Sequence, residues 1–351
     1  MIFFLLLFVL CCLWGCNMQS KMNKEYLSFE STQAIKGIFI LLVFFSHFNS
    51  YVTFSTDLDI FSSKIISLFG QTMVTLFLFY SGYGVMESIK KKGKAYVKTF
   101  PVKRILATLF RFDCAVLIFV VIALLITKQP ITIKTVILSF IGWESVGNSN
   151  WYVFVVILLY IFTYIAFVLP SKKGNTYSTS IVLLLTCMWI MACVLFKIRP
   201  RYWYDTSLCY CLGMYYSIYK EKVELLVESL IKWFIAFGCM ILLFLLFREY
   251  KANGICNMLM NISFALIVVL LTMRVKVGNK VLIWCGKHLF ELYILQRIPM
   301  ILLSHFNIHE FNLYMYFVLC MVITLLLVYP FKMIVDGVWK KIQFKFDSYS
   351  L

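Results

Sequence analysis

Apolar stretches of about 18 residues or more recur from one end of this chain to the other, with few charges inside them. Each is long enough to cross roughly 30 Å of hydrocarbon as a helix, and that length requirement excludes most soluble architectures. Composition agrees: 62% of the residues are hydrophobic, 14% are charged and the mean hydropathy is +0.88. A soluble domain carries nearly twice that charge. The expected fold is all-α, a polytopic transmembrane helical bundle of about 10 to 11 spans.

We place the spans at 2–18, 33–50, 65–87, 105–127, 151–169, 179–196, 204–219, 230–247, 255–273, 281–303 and 312–330. Alternate connections then carry 21 and 8 Lys and Arg residues. The richer set includes Lys21, Lys24, the run from Lys90 to Arg104, Lys172, Lys173, Lys220, Lys222, Arg274, Lys276, Lys332 and Lys345. By the positive-inside rule that set is cytoplasmic, with the N-terminus outside and the C-terminus inside. The net charge of +17 is therefore a matter of topology, and nucleic acid is not an expected partner. One basic cluster, KIRPR at 197–201, falls on the outer side. Either it is tolerated there, or Arg199 and Arg201 face an anionic ligand.

Residues 1–27 form an extra hydrophobic segment ahead of the main domain, 28–335, and 336–351 form a basic cytoplasmic tail. The first segment lacks the positive start of a signal peptide, and Trp14 is bulky for a cleavage site before Cys16, so an uncleaved helix is expected ahead of the alternative, cleavage or lipidation at Cys16. Most of the 12 cysteines fall inside apolar runs without ligand spacing and read as small hydrophobes. His305, His309 and Glu310 have helical metal spacing but sit in a short outer loop, and no metal is expected.

In GIFILLVFFSHFNSY, residues 37–51, His47 lies deep in hydrocarbon. A polar side chain there faces the bundle interior or a wet cavity, either as an interhelical hydrogen-bond partner or as a working group. Desolvation favours the neutral imidazole, the proton-accepting form that a general base needs. Lys36 is eleven residues earlier, on nearly the same helix face and roughly 16 Å nearer the cytoplasm. It is an interfacial anchor or one end of a site for a long ligand with an anionic head. Arg111, inside the next basic-flanked span, together with Lys103 and Arg104 offers phosphate-binding cations. Asn148 and Asn150 are helix caps or sugar contacts, Trp151 an interfacial belt residue or a substrate contact, and Tyr83 and Tyr293 packing residues or donors.

Four segments, in order, resemble those of the membrane acyltransferase 3 family: KGIFILLVFFSH (36–47), FLFYSGYGV (77–85), NSNWYVFVVILLY (148–160) and GKHLFELYILQRIP (286–299). The resemblance covers about residues 28–335. It implies transfer of an acyl group, usually acetyl from cytoplasmic acetyl-CoA, to a hydroxyl of a cell-surface carbohydrate or its lipid-linked precursor. A multi-pass protein of the bacterial inner membrane is implied, working among membrane lipids. His47 matches the family's catalytic histidine, and Lys36 stands where the family has arginine, keeping the charge but not the bidentate fork. Lys103, Arg104 and Arg111 are the other expected cofactor contacts, although Ala107 breaks the family's paired arginines at Arg104. Tyr83, Asn150, Trp151, Tyr293 and Gln296 are expected toward the substrate; Gln296 stands where many relatives have a histidine and cannot titrate. The competing class is a transporter or flippase for a lipid-linked sugar, which would often show paired Gly- or Pro-broken helices in two halves. No such duplication is present, and the enzyme reading is preferred.

Overall fold

The computed structural model describes residues 1–168 and 174–348, the last five of these as backbone only. Lys172 and Lys173 lie outside the described residues, as does the side chain of Lys345. The chain begins with α1 (Ile2–Leu13), a short strand β1 (Asn17–Met18), α2 (Phe29–Asn49), α3 (Asp57–Phe69) and α4 (Thr72–Lys92). It continues with α5 (Lys94–Phe100), α6 (Ala107–Val121), α7 (Ile133–Phe140), α8 (Trp151–Val168), α9 (Gly174–Leu195) and α10 (Leu208–Leu226). Then come α11 (Leu230–Glu249), α12 (Gly254–Thr272), β2 (Val275–Lys276), α13 (Lys280–Lys287), α14 (Leu289–Leu295), α15 (Arg297–His305), α16 (Ile308–Phe311) and α17 (Leu313–Ser348).

The architecture is the expected all-α bundle. Among the described residues, eight helical stretches are long and apolar enough to cross a membrane. The expected spans differ from these in three places, each for a physical reason. α1 has 12 residues, about 18 Å of helix, and is too short to cross. α10 is long enough, but Lys220, Glu221, Lys222 and Glu224 make its last turns polar. The stretch 281–303 divides into α13, α14 and α15, with interruptions at His288 and Gln296.

Polar residues at helix starts explain where several elements begin. The side chains of Ser28, Thr56, Ser229, Asn253 and Asn279 each accept a backbone N–H in the first turn that follows. Such caps satisfy donors that have no partner within the helix. Around α6 the helix widens into π-turns at Pro101–Leu106 and Ile122–Ile126. Pro101 lacks the N–H that a regular ladder would use, and π-turns of this kind recur at functional sites.

Two helix pairs touch backbone to backbone. A Cβ added to Gly37 of α2 would lie 2.0 Å from the Leu282 carbonyl oxygen of α13, and one on Gly286 would lie 1.9 Å from that of Gln33. α4 and α10 repeat the arrangement, with Gly82 against the Tyr210 carbonyl and Gly213 against that of Phe79, each at 2.0 Å. Without hydrophobic drive between helices in lipid, such close van der Waals approach is what holds them together. By contrast α11 buries only Trp233 and exposes Phe234, Ile235, Leu242 and Leu246, a surface suited to lipid.

The N-terminal segment is woven into this frame. β1 pairs antiparallel with β2, Asn17 opposite Lys276 and Met18 opposite Val275. Asn279 donates from Nδ2 to the Cys11 and Trp14 carbonyls at 2.8 and 3.0 Å, and Phe4 stacks on Phe317 at 4.5 Å. Buried Arg274 donates to the carbonyls of Ser20 and Glu228, closing the same corner.

Candidate active site

Residues of α2, α4, α6, α8, α13, α14 and α17 surround a cavity of about 810 Å³. Four cations line it: Lys36, Arg104, Lys287 and Lys332. Arg104 sits in the π-turn that follows Pro101, and its Nε donates to the Tyr96 hydroxyl at 3.0 Å. Lys36 Nζ lies 5.8 Å from the centre of the Tyr80 ring and within electrostatic range of Arg104. Neither Lys36 nor Arg104 has a carboxylate partner among the described residues. The remaining wall is aromatic and hydroxylic, with Tyr80, Ser81, Tyr83, Tyr152 and Tyr160, and the buried Tyr80 hydroxyl is unpartnered. Unpaired cations beside an aromatic, hydrogen-bonding wall suit a phosphorylated ligand with a planar base.

At the other end of the bundle a second hollow of about 360 Å³ opens between the ends of α2, α6 and α15 and the loop before α8. Tyr51, Thr127, Gln129, Gly147, Ser304 and His305 are among its walls. Gly147 has φ +101°, and a Cβ there would press on Ile301 at 3.1 Å, so glycine lets the loop reach the hollow.

His47 lines neither hollow but lies along α2 between Lys36, which lines the first, and Tyr51 just past the helix end, which lines the second. Its Nδ1 is buried and has no hydrogen-bond partner. The ring lies 6.1 Å from that of Tyr293, which packs edge-to-face on Tyr152 at 5.2 Å, and Tyr152 packs on Phe77 at 6.0 Å. Tyr152 and Phe77 line the basic cavity, so a line of rings runs from that cavity to the histidine. The hydroxyls of Tyr293 and Ser149 face each other, yet neither completes a hydrogen bond. On the far side Arg297 lies within electrostatic range of His47 and donates from Nε to the Tyr51 hydroxyl at 3.0 Å. Buried polar atoms are normally paired, and His47 Nδ1 and the Tyr293 hydroxyl are two that the protein leaves without a completed bond.

The structure separates the residues singled out from the sequence. His47 and Tyr293 come together at the centre, and Lys36, Arg104 and Tyr83 line the basic cavity. Lys103 is exposed and does not line it. Arg111 is bound by Asp336 of α17, its Nε and Nη2 donating to one carboxylate oxygen at 3.1 and 3.0 Å. Gln296 is fully buried and donates to the Tyr293 carbonyl at 3.2 Å. Trp151 packs edge-to-face on Tyr202 at 5.8 Å and on Tyr152 at 6.1 Å, and so touches the line of rings from the side. Both arginines of KIRPR are engaged by the protein. Arg199 donates to the Trp143 carbonyl and Glu144, with its guanidinium 3.9 Å from the centre of the Trp143 ring, and Arg201 bonds Asp205 and the Ala252 carbonyl. The two arginine charges of that cluster are thus met within the protein.

Asn150 donates from Nδ2 to the Gly142 carbonyl at 2.9 Å, holding the loop before α8 in shape. Asn148 does related work, accepting from Val146 N at 3.0 Å. Replacing Asn150 with alanine leaves a buried carbonyl unpaired, at a cost of about 1–3 kcal/mol. The variant should melt several degrees lower, and an unchanged melting temperature would show that the bond contributes nothing.

Sequence reading missed Tyr51, Tyr80, Ser149, Tyr152 and Arg297. Arg297 carried a usable signal, an arginine inside an apolar stretch, which is costly unless paired or bound to a ligand.

A family described as acyltransferase domain, the acyltransferase 3 family, matches residues 29–333. No curated protein and no solved structure matches. Because the match takes in His47, the line of rings and both hollows, the chain belongs to the acyltransferase 3 family and is a membrane acyltransferase.

Proposed function

We propose that the protein transfers an acetyl group from acetyl-CoA to a hydroxyl of a carbohydrate or a lipid-linked precursor of one. The observation that carries this reading is the placing of His47, with Nδ1 unpartnered, between a cation-lined cavity and a second hollow at the opposite end. A donor drawn from cytoplasmic acetyl-CoA, as the family resemblance implies, would put the basic cavity on the inner side of a bacterial plasma membrane and the second hollow on the outer side. Lys36, Arg104, Lys287 and Lys332 would hold the phosphates, and Tyr80 and Tyr160 would border the nucleotide. When bound, acetyl-CoA supplies an activated acyl thioester.

His47 takes the proton of the acceptor hydroxyl as its oxygen forms a bond to the acyl carbon. The carbon–sulfur bond breaks, and the departing thiolate receives that proton, returning the imidazole to its neutral form. Tyr293, whose ring lies 6.1 Å from that of His47, can donate to oxygen as negative charge grows on it, and Ser149 faces its hydroxyl. The apolar packing of other helices around α2 excludes bulk water, which protects the thioester from hydrolysis.

The test is to purify the full chain in lipid nanodiscs and supply isotope-labelled acetyl-CoA with a membrane glycan extract. Label should appear in glycan as an alkali-labile ester. Protein that neither binds acetyl-CoA nor labels any glycan would overturn the reading. In the same assay Arg104→Gln should raise the KM for acetyl-CoA about 10-fold, the value of roughly one charge-assisted hydrogen bond. A KM within twofold of the parent would remove Arg104 from the donor site.

A further inference from the structure

Arg297 is the one strongly basic group at the centre that the proposed reaction does not use. It opens α15, one residue beyond the break at Gln296, and is only partly buried. Its Nε is pinned by Tyr51, and among the described residues its terminal nitrogens have no acceptor and no carboxylate pairs with it. Arg104, in the basic cavity, is held in the same way by the Tyr96 hydroxyl, whereas four other arginines are treated differently. Arg111, Arg199 and Arg201 each meet an acidic side chain, and Arg274 is held by two carbonyls. A guanidinium left unpaired inside a membrane bundle is costly and marks a path or site for an anion.

Its surroundings locate that site. Tyr51 belongs to the wall of the outer hollow, and so do Ile301 and His305, which follow Arg297 at successive fourth positions on α15. Arg297 is not itself part of this wall but stands one helical turn before Ile301 and beside Tyr51, with Nε fixed and its Nη atoms unpartnered among the described residues. The bond from Tyr51 orients the fork, which is preorganised for two parallel hydrogen bonds to a carboxylate or phosphate. Other polar groups of the hollow, Thr127, Gln129 and Ser304, are neutral and can serve sugar hydroxyls.

We infer that the acceptor carries a negative charge, a phosphate or a carboxylate, next to the hydroxyl that is acylated, and that Arg297 selects it. This inference rests on the acyltransferase reading and narrows its acceptor class. The charge would be bound on the outer side of His47, apart from the four cations of the donor cavity.

The experiment uses the full chain in nanodiscs with CoA at saturation, so that the donor cavity cannot bind the probes. Binding of glucose 1-phosphate, glucuronate and methyl glucoside is measured by isothermal titration for the parent, Arg297→Gln and Arg297→Lys. At least one anionic probe should bind the parent 10-fold or more tightly than methyl glucoside. That ratio should fall to about one in Arg297→Gln and take an intermediate value in Arg297→Lys. A preference for the phosphate alone identifies a phosphate ester as the source of the charge, and one for glucuronate alone identifies a uronic acid. CoA binding by each variant reports that it has folded. Equal binding of all three probes, binding of neither anion, or a preference that survives in Arg297→Gln would overturn the inference. Failure of CoA itself to bind the parent would instead sink the acyltransferase reading, and the two failures are therefore distinguishable.

Discussion

Replacing His47 with alanine is expected to slow acyl transfer by about 10³-fold while acetyl-CoA binding persists. The magnitude is that of losing a positioned general base, typically 10² to 10⁴. Binding should survive because the cations that line the donor cavity stand toward the basic end of the bundle. Lys36, the nearest of them on α2, is eleven residues from His47, about 16 Å along the helix. The check is a pair of measurements on one preparation, kcat for transfer and Kd for acetyl-CoA. A fall in kcat with unchanged Kd supports the role. Transfer at more than about one-tenth of the parent rate would remove His47 from the chemistry. A joint loss of both would mean that the substitution had disturbed the bundle, and His47→Gln, which preserves polarity and volume better, separates these cases.

The second large effect is structural. Gly213→Val should prevent recovery of folded protein, because its Cβ would stand 2.0 Å from the Phe79 carbonyl oxygen, where real side chains keep beyond 3.0 Å. Relief requires α4 and α10 to move apart, and the reciprocal contact of Gly82 with Tyr210 would open with it. Overpacking by extra methyl groups ordinarily costs 1–3 kcal/mol, and a collision with backbone on both helices lies at or above the top of that range. Monodisperse yield after detergent extraction and melting temperature are the readouts. Gly238→Ala is the matched control, since a Cβ there meets nothing within 4 Å and alanine favours helix. Parent-like yield and melting in Gly213→Val would show that the two helices are not locked at this crossing. Tyr80, Ser81 and Tyr83 of α4 line the donor cavity, so any surviving protein should also bind acetyl-CoA poorly.

The helical class of the fold was legible because lipid demands one simple pattern, and hydropathy reports it directly. Most apolar runs became helices close to the expected limits. The stretch 281–303 did not, because its interruptions depend on His288 and Gln296 being drawn into local bonds and ring contacts that hydropathy averages away. α3 was missed for the opposite reason: its start is polar, with Asp57 and Asp59 in the first turn under a Thr56 cap, so an apolar count begins too late.

The centre of the site was legible through His47, a residue type that hydrocarbon rarely admits, and through Tyr293 by resemblance. What could not be read were pairings across long sequence separations. Nothing local to Arg111 reveals that Asp336, 225 residues later, occupies its guanidinium. Nor does anything local to Asn150 announce the Gly142 carbonyl, since the loop between them folds back only because Gly142 and Gly147 take positive φ. Arg297 was overlooked beside Gln296, although its cost in an apolar stretch was visible.

The rings of Phe77, Tyr152 and Tyr293 lead from the basic cavity to His47. In the proposed reaction an acyl group passes outward along this line and the acceptor's proton passes inward to the thiolate. One acyl cation equivalent is exchanged for one proton, so the transfer moves no net charge. A bundle working in this way modifies the outer surface from an inner pool of donor while remaining electrically silent, without drawing on the membrane potential or dissipating it.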